Sequence, residues 1–230
     1  MFHAGDIIAY LDMCKFEGVS LQRGMNFHLH NGLSVVLMSL RKGAPYEDRV
    51  EDNWQTLIYE GHDIPKDKSG LNPKQTDQPL TTGNGKPTQN GLFYNAAIKY
   101  KAGAPAEKVR VYEKIKNGIW AYTGLFNLVD AWIEQNTRKV IKFKLKLIEE
   151  ESTLISSKAN SNIEHTRVIP TSIKLDVWKR DKGMCTLCGS KDNLHFDHII
   201  PFSKGGSSIT LNNIQLLCAR HNIAKKDRIE

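Results

Sequence analysis

No stretch of this 230-residue chain approaches the roughly 18 consecutive apolar residues that a membrane-spanning helix needs. The N-terminal run MFHAGDIIAYLD is only briefly apolar and carries Asp6 inside that stretch. Cysteine is scarce: there are four, and three of them, Cys185, Cys188 and Cys218, fall in the last 46 residues. Such crowding beside histidines reads as metal binding rather than as a secreted disulfide framework. No internal repeat is visible, and no composition of the disordered or fibrous kind. The expectation is a soluble, intracellular protein.

What is present is ordinary in bulk and uneven in detail. The hydrophobic share is 40% and the charged share 25%, and the length suits two modest domains. Formal charge is +7 with a pI near 9.1, which favours an anionic partner without naming one. Up to residue 150 there are 20 basic and 17 acidic side chains, against 12 and 8 in the remaining 80 residues. The basic excess is denser towards the C-terminus.

Short β-like runs fill the first part: LSVVLMSL (33–40), WQTLIY (54–59), KVRVYEKI (108–115) and RKVIKFKLKLI (138–148). In the last, Val140, Ile141, Phe143, Leu145 and Leu147 are set against lysines, as in a half-buried strand. Residues 61–91 are rich in Gly, Pro, Asn, Asp and Lys and predict a long exposed loop. The polar stretch around 150–166 predicts a linker between residues 1–149 and a second domain at 167–230. After Pro170 a helix is expected, capped by Thr171 or Ser172, with Ile173, Val177 and Trp178 on one face and its end near Gly183.

Two paired-ligand hooks follow, Cys185-Thr-Leu-Cys188 and, thirty residues on, Cys218-Ala-Arg-His221. Thiolate and imidazole are zinc ligands, and two-residue spacing lets a tight turn present both to one ion. These four side chains predict a structural zinc that stabilises a small domain.

Between and beyond the hooks stand LHFDHIIPFSKGG (194–206) and LNNIQLLCARHNIAKKD (211–227). With the lead-in IPTSIKLDVWKRDKGMCTLCG, these residues resemble the HNH nuclease family from Arg167 to Arg228. The resemblance implies a ββα-metal unit: a strand over 194–199, a loop at 201–208, a strand near 214–217 and a helix carrying Asn222. It implies that His198 is the general base, that Asp197 and Asn222 hold a catalytic Mg2+ or Mn2+, and that Asn213 fixes the loop aiming the histidine. Those residue types suit the roles. Imidazole exchanges protons near neutral pH, and oxygen ligands suit hard cations. Lys225, Lys226 and Arg228 read most simply as a solvated helix face, and His195 is left outside the site.

The first part resembles the SRA or YDG domain, a PUA-like β-barrel that reads modified cytosine. The resemblance runs over residues 2–148 on GDIIAYLDMCKFEGV, PYEDRVED, LIYEGHD, TDQPLTTGN and GIWAYTGLFNLVDAW. It implies base flipping into a pocket between Tyr46 and Tyr59, with Asp48 reading the cytosine amine. The chain departs from the family pattern at Ala44-Pro45, where a glycine pair is usual, and at Arg49 and Tyr122-Thr123-Gly124.

The fold class expected is therefore α+β: an SRA-like β-barrel with flanking helices, then a zinc-stapled HNH domain. The function expected is a modification-dependent restriction endonuclease, cytoplasmic and bacterial, meeting the nucleoid when it acts. Its partner is double-stranded DNA carrying 5-methylcytosine or 5-hydroxymethylcytosine, and it works as a homodimer formed in solution or only on DNA. The alternatives are an HNH nicking or homing-type endonuclease indifferent to modification, and a non-catalytic reader.

Overall fold

The computed structural model describes residues 2–52, 55–65, 70–148 and 168–229. Trp54, Arg167 and the predicted linker at 150–166 lie outside the described residues, as does the boundary placed there.

Among the described residues the N-terminal unit is one sheet with two helices. Its elements are β1 (Ile7–Ala9), α1 (Tyr10–Glu17), β2 (Met25–Asn26), β3 (Ser34–Met38), β4 (Arg49–Glu51) and β5 (Thr56–Glu60). Then come α2 (Gln89–Lys101), β6 (Glu107–Lys116), β7 (Ile119–Gln135) and β8 (Lys139–Leu147). The strand order is β2-β3-β6-β7-β8-β5-β4, with β1 pairing β7. The β3–β6 pair is parallel and the rest antiparallel.

Two contacts show how far this sheet curls. β3 and β5 stand near opposite ends of the ladder, yet the Tyr59 hydroxyl donates to the Leu37 carbonyl at 3.4 Å. Asp48 likewise accepts from the Ser39 amide at 3.2 Å, just past the end of β3. Side chains thus close the barrel where the hydrogen-bonded ladder is open among the described residues. Its core holds Met25, Val36, Leu57, Val109, Phe126 and Phe143, with Phe93 and Ala97 of α2 packed into it.

The sequence does not announce α2, because Asn90, Gly91, Phe93 and Ala97 are its buried positions and form no apolar stripe. Thr88 caps it, accepting from the Gly91 amide at 3.1 Å. The preceding loop is mostly exposed, as its composition predicts, and Gln78 is the residue that anchors it. Gln78 is 5% exposed, accepting from the Ile141 amide at 2.8 Å and donating to the Gly61 carbonyl at 2.7 Å. The lysines of β8 also divide. Ile141, Phe143 and Leu145 enter the core as expected, but Lys142 is buried too and pairs with Glu60 at 2.9 Å.

The C-terminal unit comprises α3 (Thr171–Arg180), β9 (Leu194–His198), β10 (Ile214–Cys218) and α4 (Ala219–Lys225). β9 and β10 form an antiparallel hairpin in which His198 faces Ile214 and Leu194 faces Cys218. The expected side-chain cap on α3 is absent: Pro170 occupies the cap position, and Thr171 is the first helical residue, buried. Ile173, Val177 and Trp178 do share the face that packs on the hairpin.

The two units meet through backbone. Gly5 donates to the Tyr122 carbonyl at 2.9 Å and accepts from the Phe196 amide at 3.1 Å. Asp6 makes an antiparallel bridge to His195. The segment before β1 is therefore an edge partner of β7 on one side and β9 on the other, joining the two sheets. Gly5 has φ +99°, and a Cβ there would press on the Phe196 carbonyl, so glycine is the residue that permits this approach. Below the joint, Ile115 and Ala121 share a core with Ile169, Val177 and Phe196, and Lys174 pairs with Glu113 at 2.7 Å. Both members of that pair are almost fully buried, their side chains 2% and 0% exposed.

Candidate active site and reader cavity

The four hook residues converge. Cys185 Sγ lies 3.4 Å from His221 Nδ1, Cys218 Sγ lies 3.3 Å from the same nitrogen, and Cys188 Sγ lies 3.8 Å from Cys218 Sγ. All four ligand atoms fall within 4.8 Å of one another. The edges of a zinc tetrahedron with metal–sulfur bonds of about 2.3 Å and metal–nitrogen bonds of about 2.0 Å are about 3.5 to 3.8 Å, so the arrangement fits. Burial raises the Cys185 thiol, but the backbone amides of Cys218, Leu187 and Cys188 and the His221 ring outweigh it and bring it down to about 6. A thiol held that low presents the thiolate that a metal binds.

A cavity of about 400 Å³ is lined by Asp6, Lys174, His195, Asp197, His198 and Asn222, among others. Asp197, His198 and Asn222 thus share one concave surface, contributed by the end of β9 and by α4. His198 Nε2 is 2.9 Å from Ser208 Oγ. Asn213 holds the loop that delivers Ser208: its Oδ1 accepts from the Ile200 amide at 2.8 Å, and its Nδ2 donates to the Ser207 carbonyl at 3.0 Å and the Ile200 carbonyl at 3.2 Å. Gly206 completes the loop, since a Cβ there would overlap the Ile200 carbonyl.

One expectation is overturned. Lys225 does not belong to a solvated face: it is 3% exposed, and its Nζ lies 3.1 Å from Asp197 Oδ2 and 2.6 Å from the His198 carbonyl. Helical geometry explains this. Lys225 stands three residues after Asn222, on the same face of α4, and that face looks at the end of β9. Lys226 and Arg228 are exposed as expected. Gln215, cross-strand from Asp197, donates to the same carboxylate oxygen at 3.3 Å.

In the N-terminal unit, Tyr46 lies between two cavities and lines both. The larger, about 950 Å³, is lined by Arg23, His62, Asp63, Thr82 and Gln89, among others, and the smaller, about 320 Å³, includes Asp48, Met38 and Trp120. The Tyr46 ring stacks near His62, centroids 6.1 Å apart at 29°, and the Lys74 ammonium sits 4.1 Å from its centre. Asp48 Oδ1 accepts from the Glu60 amide at 3.0 Å, and burial, against the pull of the Glu60 and Ser39 amides, raises its carboxyl to about 6. Burial, and then Arg23, lower His62 to about 4, so its ring is neutral at neutral pH. Tyr59 is placed differently. It is 3% exposed, packs in the barrel core and lines neither cavity.

Behind Tyr46, ion pairs fix the segment carrying His62. Asp63 pairs with Arg138 at 2.7 Å and with Lys74 at 2.8 Å, while Asn90 Oδ1 accepts from the His62 amide at 2.8 Å. His62, Lys74 and Ser208 were not singled out in the sequence, and Lys225 was misread there as solvated. Only Lys225 had a legible signal, its three-residue spacing from Asn222.

A zinc-type Cys3His cluster beside a ββα hairpin with an Asp-His pair defines a metal-dependent DNA endonuclease, and residues 185–228 match the HNH endonuclease family. Residues 3–151 match the SAD/SRA domain family, so the chain belongs to that family and carries an HNH endonuclease domain behind it. No curated protein matches the chain. Among solved structures, the SUVH5 SRA domain with hemimethylated CG DNA is 24% identical, covering 65% of this chain and 90% of that one at a TM-score of 0.45. The same domain bound to fully hydroxymethylated CG DNA is also 24% identical, covering 64% and 90%, at 0.44. The type IV phosphorothioation-dependent restriction endonuclease ScoMcrA is 17% identical, covering 98% of this chain and 55% of that one, at 0.43. Among the described residues no helix is long and apolar enough to cross a membrane.

Proposed function

We propose that this chain is a modification-dependent DNA endonuclease, in which residues 1–149 read a modified cytosine and residues 167–230 cut a nearby phosphodiester bond. The observation that carries the reading is an SAD/SRA unit with an aromatic-walled cavity, docked by backbone hydrogen bonds to an HNH unit whose Asp197, His198 and Asn222 share one cavity. The reader flips the base against Tyr46, and Asp48 accepts from the exocyclic amine of 5-methylcytosine or 5-hydroxymethylcytosine. Tyr59 contributes to the pocket by holding the strand beneath it.

In the nuclease unit, His198 takes a proton from the attacking water while Ser208 and the Asn213-stapled loop keep its ring in place. Asp197 and Asn222 would hold Mg2+ or Mn2+, which would supply charge stabilisation at the scissile phosphate and the departing 3′ oxygen. The products are a 5′ phosphate and a 3′ hydroxyl. Lys225 offsets the charge of Asp197 and pins the end of β9. Cys185, Cys188, Cys218 and His221 would hold zinc in a structural role, with four protein ligands to it. Each unit has one such site, so a double-strand break takes two protomers on the DNA.

The test is a digestion panel of one plasmid with unmodified, 5-methyl, 5-hydroxymethyl and glucosylated cytosine. Cutting is expected only of the first two modified forms, and equal rates on all four substrates would sink the reading. In the same assay His198→Ala should lower cleavage by about 10²–10⁴-fold while leaving DNA binding intact.

A further inference from the structure

His195 and Asp6 stand 189 positions apart in the chain and belong to different units, yet His195 Nδ1 donates to Asp6 Oδ1 at 2.7 Å. Both side chains are mostly buried, 20% and 14% exposed. The pair is not a chance surface contact, because the backbone of Asp6 is fixed twice: its carbonyl accepts from the Tyr122 amide at 2.8 Å, and it bridges to His195 within the joined sheets. A carboxylate on Nδ1 puts the proton there and leaves Nε2 with its lone pair. That nitrogen is buried and has no hydrogen-bond partner among the described residues. Both residues line the cavity that holds Asp197, His198 and Asn222.

We propose that His195 is a third protein ligand of the divalent ion in the nuclease cavity, and that Asp6 of the SAD/SRA unit is its positioning residue. The proposal rests on the reading of Asp197 and Asn222 as the ion-holding pair. His195 and Asp197 are two apart on β9, so their side chains leave the same face of the strand, and both line the cavity. A carboxylate behind a ligating imidazole is the usual means of fixing ring orientation and raising ligand basicity. Here the carboxylate comes from the other unit, so the ion site of the nuclease is completed by the reader. A nitrogen ligand also shifts the site away from Mg2+ and towards Mn2+ and the later transition ions.

The experiment is Mn2+ binding to the full chain, followed by electron paramagnetic resonance at constant zinc content. Wild type should show directly bound nitrogen on Mn2+ in its spin-echo modulation, retained in His198→Ala and lost in His195→Ala. His195→Ala and Asp6→Ala should each weaken Mn2+ binding about 10-fold or more. The double variant should bind no more weakly than His195→Ala alone, because Asp6 acts through the ring. The ratio of Mn2+ to Mg2+ affinity should fall in His195→Ala. His195→Gln replaces it if zinc content or circular dichroism shows that alanine is not tolerated.

If Asp197→Asn binds Mn2+ as wild type does, the underlying ion-site reading fails. If Asp197→Asn loses the ion while His195→Ala and Asp6→Ala keep wild-type affinity, this proposal alone fails. Absence of nitrogen modulation in the wild-type protein overturns it without any variant.

Discussion

The nuclease cavity and the reader cavity are built on opposite plans. Asp197, His198, Asn213 and Asn222 come from 26 consecutive positions, held by one hairpin, one loop and one helix. Around Tyr46, by contrast, Arg23, Asp48, His62, Lys74 and Gln89 arrive from separate loops, from strand ends of a curled sheet and from the start of α2. Beside the short-range site the Cys3His cluster offers a metal staple to a unit too small to bury a large core of its own. The long-range site depends on the barrel and on buried ion pairs such as Arg138–Asp63 and Lys142–Glu60.

The sharpest break between the two plans should come from zinc. Stripping it, or making Cys185→Ser, removes a term worth about 10–16 kcal/mol in isolated zinc-finger peptides. Hydrogen exchange should then show protection lost across β9, β10 and α4 and kept in β6, β7 and β8. Equal loss in both regions would mean that the shared core around Ile115 and Ala121 makes the molecule a single cooperative unit.

Next in size is the contrast between the two tyrosines. Tyr59→Ala empties a core position and should cost about 3–5 kcal/mol of stability in denaturant titration. Tyr46→Ala should leave stability nearly unchanged and cost about 1–3 kcal/mol of binding to modified DNA, with little effect on unmodified DNA. If the two variants lose binding equally at equal stability, Tyr59 is a ring of the pocket and not its support.

The smallest effect is one of pH. With its carboxyl raised to about 6, Asp48 is ionised at pH 7 and largely protonated at pH 5. A protonated acid is a poorer acceptor for the cytosine amine, so the affinity ratio of modified to unmodified DNA should fall about 10-fold from pH 7 to pH 5. His62, lowered to about 4, stays neutral through that window and contributes no titration. Fluorescence anisotropy on matched duplexes measures the ratio, and Asp48→Asn should flatten it.

Both plans left traces in the sequence, of different quality. The Cys185–Cys188 and Cys218–His221 hooks were legible because ligand chemistry and a tight turn fix the spacing, and the structure brings all four atoms together. β3, β6 and β8 were legible from their apolar runs. α2 was not, since its contacts with the barrel core use Asn, Gly and Ala as well as Phe93. Lys142 looked like one more exposed lysine until Glu60, 82 positions away, was placed beside it. Lys225 was misread for the same reason: its partner Asp197 lies on another element.

The sequence by itself determined what side chains within one turn, hairpin or strand present to each other, because backbone geometry sets those distances whatever the rest of the chain does. That covers the metal hooks, the Asp-His pair and the family of each unit. Only the tertiary structure decided which residues are buried against partners far away in the chain. The joint at Gly5 and Asp6 is the clearest case, since a bridge between β7 and β9 depends on where two sheets finally meet.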